Sequence, residues 1–279
     1  MRMNEMFFPL TSTPFSRSGY RELLPSKELA PYVRCFWTSW NEKESASQIT
    51  VSPAPIIPDL CADIIIATDG TEKEFFFCGV SDKTFASVHS QGQRRRLFGI
   101  RFYAWQASAF SDEPLFKTAN GFFELRAHFL TIEKSLLSKF SPTMNLEEFK
   151  QIAEETLLKL LVRPASKRPE QNSLVMDAIT QMIRTRGSQN LSSLLKDIHA
   201  SERQLERFFA QTLSLSPKKV SSLIRYQSLW QSVCFSKIFD IQDAVAEFGY
   251  FDQAHLLNDF KKFHGMNLTE ARKIAFSAK

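Results

Sequence analysis

Two stretches decide how this chain folds: Ser201-Glu202-Arg203-Gln204-Leu205-Glu206-Arg207-Phe208-Phe209, and Phe248-Gly249-Tyr250-Phe251-Asp252-Gln253-Ala254-His255-Leu256 running on to Phe260-Lys261-Lys262-Phe263-His264-Gly265. In the first, Ser201 stands where a helix N-cap belongs. Gln204, three residues on, completes a Ser-x-x-Gln pattern able to satisfy two end amides reciprocally. From Glu202 onward Leu205, Phe208, Phe209 and Thr212 fall at core spacing, which leaves Arg203, Glu206 and Arg207 as a polar ridge. Just upstream, Leu191, Leu194, Leu195 and Ile198 share one face of a short helix, and His199-Ala200 make the turn. The second stretch repeats the scheme: Ile241, Val245 and Phe248 form a short helix, Gly249 supplies the turn, and Asp252 or its neighbour caps a helix with Leu256, Phe260 and Phe263 as its core. Leu205 against Leu256, and Phe209 against Phe260, are both 51 residues apart. A Leu-x-x-x-Phe spacing alone is common in amphipathic helices. Two short-helix, turn, longer-helix units in the same order are the signature of paired helix-turn-helix elements.

Between the units, Ser216-Pro217 is an N-cap followed by proline at the first helical position. It opens a long helix whose Val220, Leu223, Ile224, Trp230 and Val233 are mostly interior. Upstream, Arg163-Pro164-Ala165-Ser166-Lys167-Arg168-Pro169-Glu170-Gln171-Asn172 holds two prolines, several charges and no large apolar side chain, as a linker does. The expected organisation is an N-terminal domain over 1–165, a linker at 166–172 and an all-α domain over 173–279.

The first hundred residues have short apolar runs broken by turn residues, at 56–57, 64–67, 75–80 and 97–103, which predict strands of a small sheet or barrel. From about Phe122 the period becomes helical, with Leu125, Phe129, Ile132, Leu136, Leu137 and Phe140 on one face. After Ser141-Pro142 a second stripe runs through Leu146, Phe149, Ile152, Ala153, Leu157, Leu160 and Leu161, and together the two predict an antiparallel helical hairpin. The fold class is therefore α+β: a β-barrel-like domain with a helical hairpin, then an all-α domain with two helix-turn-helix units.

Charge sharpens the division. Of the formal net +5, residues 163–279 carry +6 and residues 1–162 carry −1. A basic C-terminal part suits a polyanion, whose condensed counterions are released on binding, though a solvated basic surface has the same composition. Cys35, Cys61, Cys78 and Cys234 show no C-x-x-C spacing, no secretory leader pattern opens the chain, and no apolar run is long enough to span a bilayer. A soluble cytoplasmic protein with reduced thiols and no membrane partner is expected. Catalysis is not: residues 1–165 hold only His89 and His128, with no His-x-His pair for a metal, no Gly-rich phosphate loop and no Gly-x-Ser-x-Gly elbow. No cofactor is expected either. Trp37, Trp40, Trp105 and many phenylalanines in the first domain permit an apolar pocket, although such aromatics more often fill core.

Over roughly residues 172–275 the sequence resembles the AraC/XylS family of transcription regulators. The two quoted stretches carry the resemblance, together with Ser214-Leu215-Ser216-Pro217-Lys218 and Ile224-Arg225-Tyr226-Gln227. It departs from the family pattern at Ser214, where glycine is usual, at Leu268, where proline is usual, and at Asn258, where arginine is usual. Leu29-Ala30-Pro31-Tyr32-Val33-Arg34-Cys35-Phe36-Trp37, Ile57-Pro58-Asp59 and Phe98-Gly99-Ile100-Arg101-Phe102 resemble the sensor-like domain that often precedes such a unit.

The resemblance implies double-stranded DNA as partner, with Arg203, Glu206 and Arg207 as the first major-groove contact. Gln253, Ala254, His255, Leu257 and Asn258 form the corresponding second face, and Lys218, Lys219, Lys261 and Lys262 meet phosphates. The two helices would enter successive major grooves about 34 Å apart. For Arg207 a phosphate clamp or an internal ion pair is the competing role, and for His255 a structural one. The resemblance further implies a small-molecule effector or a homodimer interface in the first domain, and RNA polymerase as a partner if the protein is an activator. The alternatives are an effector-independent dimeric DNA-binding protein, or an enzyme with an appended DNA-binding domain.

Overall fold

The computed structural model describes residues 7–11, 20–39, 55–86, 95–162, 169–236 and 238–277. The strands are β1 (Tyr20–Leu23), β2 (Val33–Ser39), β3 (Pro55–Ile56), β4 (Cys61–Thr68), β5 (Lys73–Cys78), β6 (Phe85–Ala86), β7 (Arg96–Tyr103) and β8 (Phe122–Glu124). Six of them form one antiparallel sheet in the order β1-β2-β7-β4-β5-β8, and β3 pairs with β6 in a separate ribbon. The α+β class is as expected, but the sheet does not close into a barrel: among the described residues β1 and β8 are edges.

Alternation along the strands sorts side chains to two faces. Phe36, Ile64, Ile66, Phe75, Phe77, Phe98, Ile100 and Phe102 point to one face, which is covered by α2 (Arg126–Lys139) and α3 (Leu146–Leu161). The predicted hairpin therefore serves as the lid of the sheet's core. Its first helix starts later than the periodicity suggested, because Phe122–Glu124 pairs with β5 as a strand, and Leu137 is 39% exposed. Asn145 closes a full capping box with Glu148 at the start of α3.

Beyond β7 the short helix α1 (Ala104–Ala107) leads toward the second half. That half comprises α4 (Pro169–Arg184), α5 (Leu191–Asp197), α6 (Glu202–Leu213), α7 (Pro217–Phe235), α8 (Ile241–Glu247), α9 (Gln253–His264) and α10 (Leu268–Ser277). The part of the expected linker before Pro169 lies outside the described residues, as do Trp40 and His89. From Pro169 the chain is already helical.

The helical half has its own core, in which Val220, Leu223, Ile224, Trp230 and Val233 of α7 are fully buried. That core does not end at the helices. Phe7, Leu10, Ile57, Leu60, Val80, Tyr103, Ala104 and Trp105 from the first half belong to the same cluster. This explains why α7 is buried almost all round, with Tyr226, Gln227 and Leu229 at 0% exposure beside the predicted interior residues.

Candidate nucleic-acid interface

Both helix-turn-helix units form. In the first, Asn190 caps α5, His199 adopts a left-handed φ of 51°, and Ser201 caps α6 by accepting from the Gln204 amide at 3.3 Å. The reciprocal Gln204 bond expected from the Ser-x-x-Gln pattern is not among the contacts of the described residues, so Gln204 is an exposed side chain after a one-sided cap. In the second, Asp240 caps α8, Gly249 has φ 66°, and Asp252 caps α9 by accepting from the His255 amide at 2.7 Å.

The two longer helices superpose in sequence from end to end at the expected offset. Glu202 and Leu213 answer to Gln253 and His264, and the left-handed C-caps are Ser214 and Gly265. The short helices and their turn residues, Leu191 with Ile241 and His199 with Gly249, are offset by only 50. The second turn therefore contains one additional residue. Phe251 occupies that place, after Tyr250 and before the Asp252 cap, and is 90% exposed. An insertion that leaves the cap geometry intact must push its own side chain outward, and here that side chain is a phenyl ring at the start of α9. Sequence reading passed over it because glycine and the cap already accounted for the turn.

The candidate contact residues fall into distinct settings. Arg203 and Arg207 are exposed, and Glu206 is half-buried, with its carboxyl raised by burial and then by neighbouring Glu202. The Arg207 guanidinium lies 5.0 Å from the Phe208 ring centroid. Gln253, Ala254, His255 and Asn258 are exposed on α9, whereas Leu257 is half-buried against the core. The His255 Nδ1 accepts from the Phe251 amide at 3.3 Å and its ring stands edge-on to Tyr250, so it also holds the enlarged turn. Lys218, Lys261 and Lys262 are exposed. Lys219 differs: its ammonium lies 2.9 Å from the Asp82 carboxylate of the first half. That pairing and an Asn120 hydrogen bond hold Asp82 below the usual carboxylate range despite its partial burial.

The far ends of both helices are gripped by the first half. The Ser214 hydroxyl accepts from the Thr118 amide at 2.9 Å and donates to the Leu115 carbonyl. The Thr84 hydroxyl donates to the Phe263 carbonyl at 2.6 Å, next to Gly265. Serine at 214, where glycine is usual, thus has a physical reason: its hydroxyl supplies one donor and one acceptor to a contact that glycine could not make. Leu268, in place of proline, starts α10 as a buried residue, while Asn267 accepts from the Glu270 amide at 2.8 Å.

Sequence reading also missed Gln227. Its Oε1 accepts from the Leu10 amide at 2.9 Å, and its Nε2 donates to the Leu10 carbonyl at 2.9 Å and the Pro58 carbonyl at 2.5 Å. The signal was present, since an amide on an otherwise apolar helix face must find partners, but its partners lie 217 and 169 residues away.

On the sheet's second face, β-register aligns Cys35, Arg101, Asp63 and Cys78 in one row across four strands, and Trp37, Gly99 and Ile65 in the next. The Trp37 indole lies flat over Gly99, where a Cβ would meet the ring at 2.0 Å. Its Nε1 donates to Asp63 at 2.7 Å, and Arg101 Nε donates to the same carboxylate at 3.0 Å. Burial pushes Asp63 upward, against the opposing effect of Arg101. All four cysteines are free, and burial raises Cys35, Cys61 and Cys78.

Residues 194–274 match a family profile described as a helix-turn-helix domain, and residues 21–124 match one described as a domain of unknown function (DUF6597). No curated protein matches the chain. Among solved structures the chain is similar to ToxT from Vibrio cholerae O395, with 7% identity over 79% of this chain and 88% of that one at TM-score 0.38. It is also similar to the 1.65 Å structure of Vibrio cholerae ToxT, with 11% identity over 78% and 91% at TM-score 0.41. No residue or ligand transfers to this chain at such identity and score. No helix among the described residues is long and apolar enough to cross a membrane. With two capped units in this order, residues 194–274 are an AraC-type helix-turn-helix domain, preceded at residues 21–124 by a domain of unknown function.

Proposed function

We propose that this chain is a sequence-specific DNA-binding regulator whose α6 and α9 lay their N-terminal halves in successive major grooves, under the control of a small molecule held by the first domain. The observation that carries this reading is the asymmetry of the two helices. Their N-terminal faces, with Arg203 and Arg207 on one and Gln253, Ala254, His255 and Asn258 on the other, are exposed, while their C-terminal caps are docked on the first half. Arginine reads guanine bidentately and asparagine reads adenine, whereas Lys218, Lys261 and Lys262 supply charge toward phosphates. Lys219, held by Asp82, contributes only when that pair opens. Residues 1–165 act as the sensing domain and 173–279 as the DNA-binding domain, joined through residues 166–172, of which the last four already belong to α4. An activator of this build also contacts RNA polymerase.

Selection of binding sites from random duplex DNA with the full chain, at stated salt, tests the reading. The expected product is a motif of two blocks about one helical turn apart, roughly 10 base pairs. An Arg203→Ala, Arg207→Ala variant should lose one block and keep the other. Binding without any motif, and equally weakened by salt on every sequence, would refute it.

A further inference from the structure

The second face of the sheet encloses a cavity of about 90 Å³ between the strands and the β3–β6 ribbon, with a mouth open to solvent. That is several times the space a single water needs, which is about 10–15 Å³. Tyr20, Trp37, Phe85 and Phe122 supply aromatic walls, and Asp59, Asp63 and Arg101 form a polar floor. Asp59 is 8% exposed and Arg101 5%.

The floor is unbalanced in charge and in hydrogen bonding. Two carboxylates face one guanidinium. The donors have partners: Arg101 Nε and Nη2 bond Asp63, its Nη1 bonds the Thr11 hydroxyl at 2.5 Å, and Trp37 Nε1 bonds Asp63. The acceptors are not used up. Among the described residues Asp59 Oδ1 accepts one bond, from the Cys61 amide, and Oδ2 accepts one, from Thr11, so each oxygen keeps a lone pair there. An acidic ligand would meet surplus negative charge, whereas a cationic nitrogen would meet free acceptors and aromatic faces that attract cations. Burial already holds Asp63 above its usual range, and a second cation beside it would relieve that.

We propose that this cavity is the effector site, that its ligand is a compact aromatic or aliphatic organic cation, and that Asp59 is its anchoring carboxylate. This rests on the regulator reading above. The cavity also has a route to the DNA-binding half. Thr11 and Asp59, which bond each other at 2.8 Å, are each one residue from Leu10 and Pro58, the two points that Gln227 of α7 holds. A cation that draws Asp59 away from Thr11 shifts both points together, and α7 is the helix that joins the two helix-turn-helix units.

The test uses the full chain and three probes of one shape: benzylamine, benzyl alcohol and benzoate, followed by ligand-observed NMR titration at neutral pH. Benzylamine should bind at least about tenfold tighter than benzyl alcohol, and benzoate should not bind. Asp59→Asn, which keeps the acceptor for the Cys61 amide, should weaken benzylamine by about tenfold or more, and Ile65→Phe, which fills the cavity from its floor, should abolish binding. Failure of benzylamine to bind, equal binding of benzoate, or undiminished binding by both variants would overturn the proposal. Benzylamine should also change affinity for the selected duplex by about fivefold or more, and no change would overturn the coupling. A chain that binds benzylamine but no duplex refutes the regulator reading and leaves the cavity assignment standing. A chain that binds duplex but not benzylamine refutes the cavity alone.

Discussion

Gln227→Met isolates the contact between the two halves. Methionine matches glutamine in length and fills the same space, so packing around α7 is kept while all three hydrogen bonds to Leu10 and Pro58 disappear. The site is fully buried, which leaves one N–H and two carbonyls without water to replace the lost amide. Each such group costs about 1–3 kcal/mol when orphaned. Slight opening of residues 7–11 recovers part of that, so the net expectation is about 3–5 kcal/mol less stability. Urea unfolding, followed by tryptophan fluorescence and far-UV circular dichroism, reads it out. In the parent both signals should move together, because one apolar cluster spans both halves. In the variant the midpoint should fall and the two transitions should separate. Gln227→Glu provides the ordering control, since a carboxylate against two carbonyls should be worse than methionine. A loss below about 1 kcal/mol for methionine, with transitions still coincident, would show that the bonds are compensated and do not hold the halves together.

Four further outcomes follow from named contacts. Ser201→Ala removes the α6 cap and should cost about 1 kcal/mol in the same melts, with weakened duplex binding; no change in either would mean the terminus is held by its neighbours. His264 is buried, with its pKa lowered to about 4 by loss of solvent, and pairs through Nδ1 with the Tyr226 hydroxyl at 2.8 Å. Because the unfolded imidazole titrates near 6.5, the unfolded state binds the extra proton, so this contribution is complete above about pH 6.5 and is lost as pH falls toward 4, by roughly 3 kcal/mol in all. His264→Gln should flatten that part of the pH profile, and an unchanged profile would contradict the assignment. Asp82→Asn should free Lys219, raise affinity for duplex and steepen its salt dependence by about one phosphate contact; unchanged affinity would show that Lys219 does not reach DNA. Arg203→Ala should relax sequence preference at one position, whereas Lys262→Ala should weaken all sequences alike and flatten the salt slope, and identical effects from both would sink that division of labour.

The sequence displayed what local chemistry determines. Ser201, Ser216 and Asp252 cap helices where their side chains can reach the amide three residues on, and periodic Leu205, Phe209, Leu256 and Phe260 are all fully buried. The four predicted strands lie in β3, β4, β5 and β7, yet the apolar run of β2 was legible only as part of a resemblance, because its residues 33–38 are buried on both faces and show no alternation. Whether the sheet closed was not legible at all. Closure depends on pairing between edges far apart in sequence, and among the described residues β8 pairs only with β5. Arg101 and Asp63 each interrupt an apolar strand, a signal of a buried polar site, but only the strand register reveals that they face each other.

The same distinction bears on how the two reading heads are tuned. The duplicated scaffold gives α6 and α9 equal lengths and equivalent caps, so their difference must come from what the scaffold leaves free. In the first half of α6 that freedom holds two arginines beside two glutamates, a formal sum of zero; in the first half of α9 it holds no charged carboxylate, lysine or arginine, and its lysines come later, at Lys261 and Lys262. An uncharged, partly apolar face gains little from phosphate attraction but can pack against thymine methyl groups, and on the proposed reading the exposed Ala254 and Phe251 would do so. On the proposed reading, Asn258 would suit that setting better than the usual arginine, because an asparagine can bond an adenine edge and does not select guanine. On the proposed reading, the first unit would meet bases through charged side chains of both signs and the second through amide and apolar contact. The spacing between them is set by α7, the helix whose buried Gln227 is tied to the first domain.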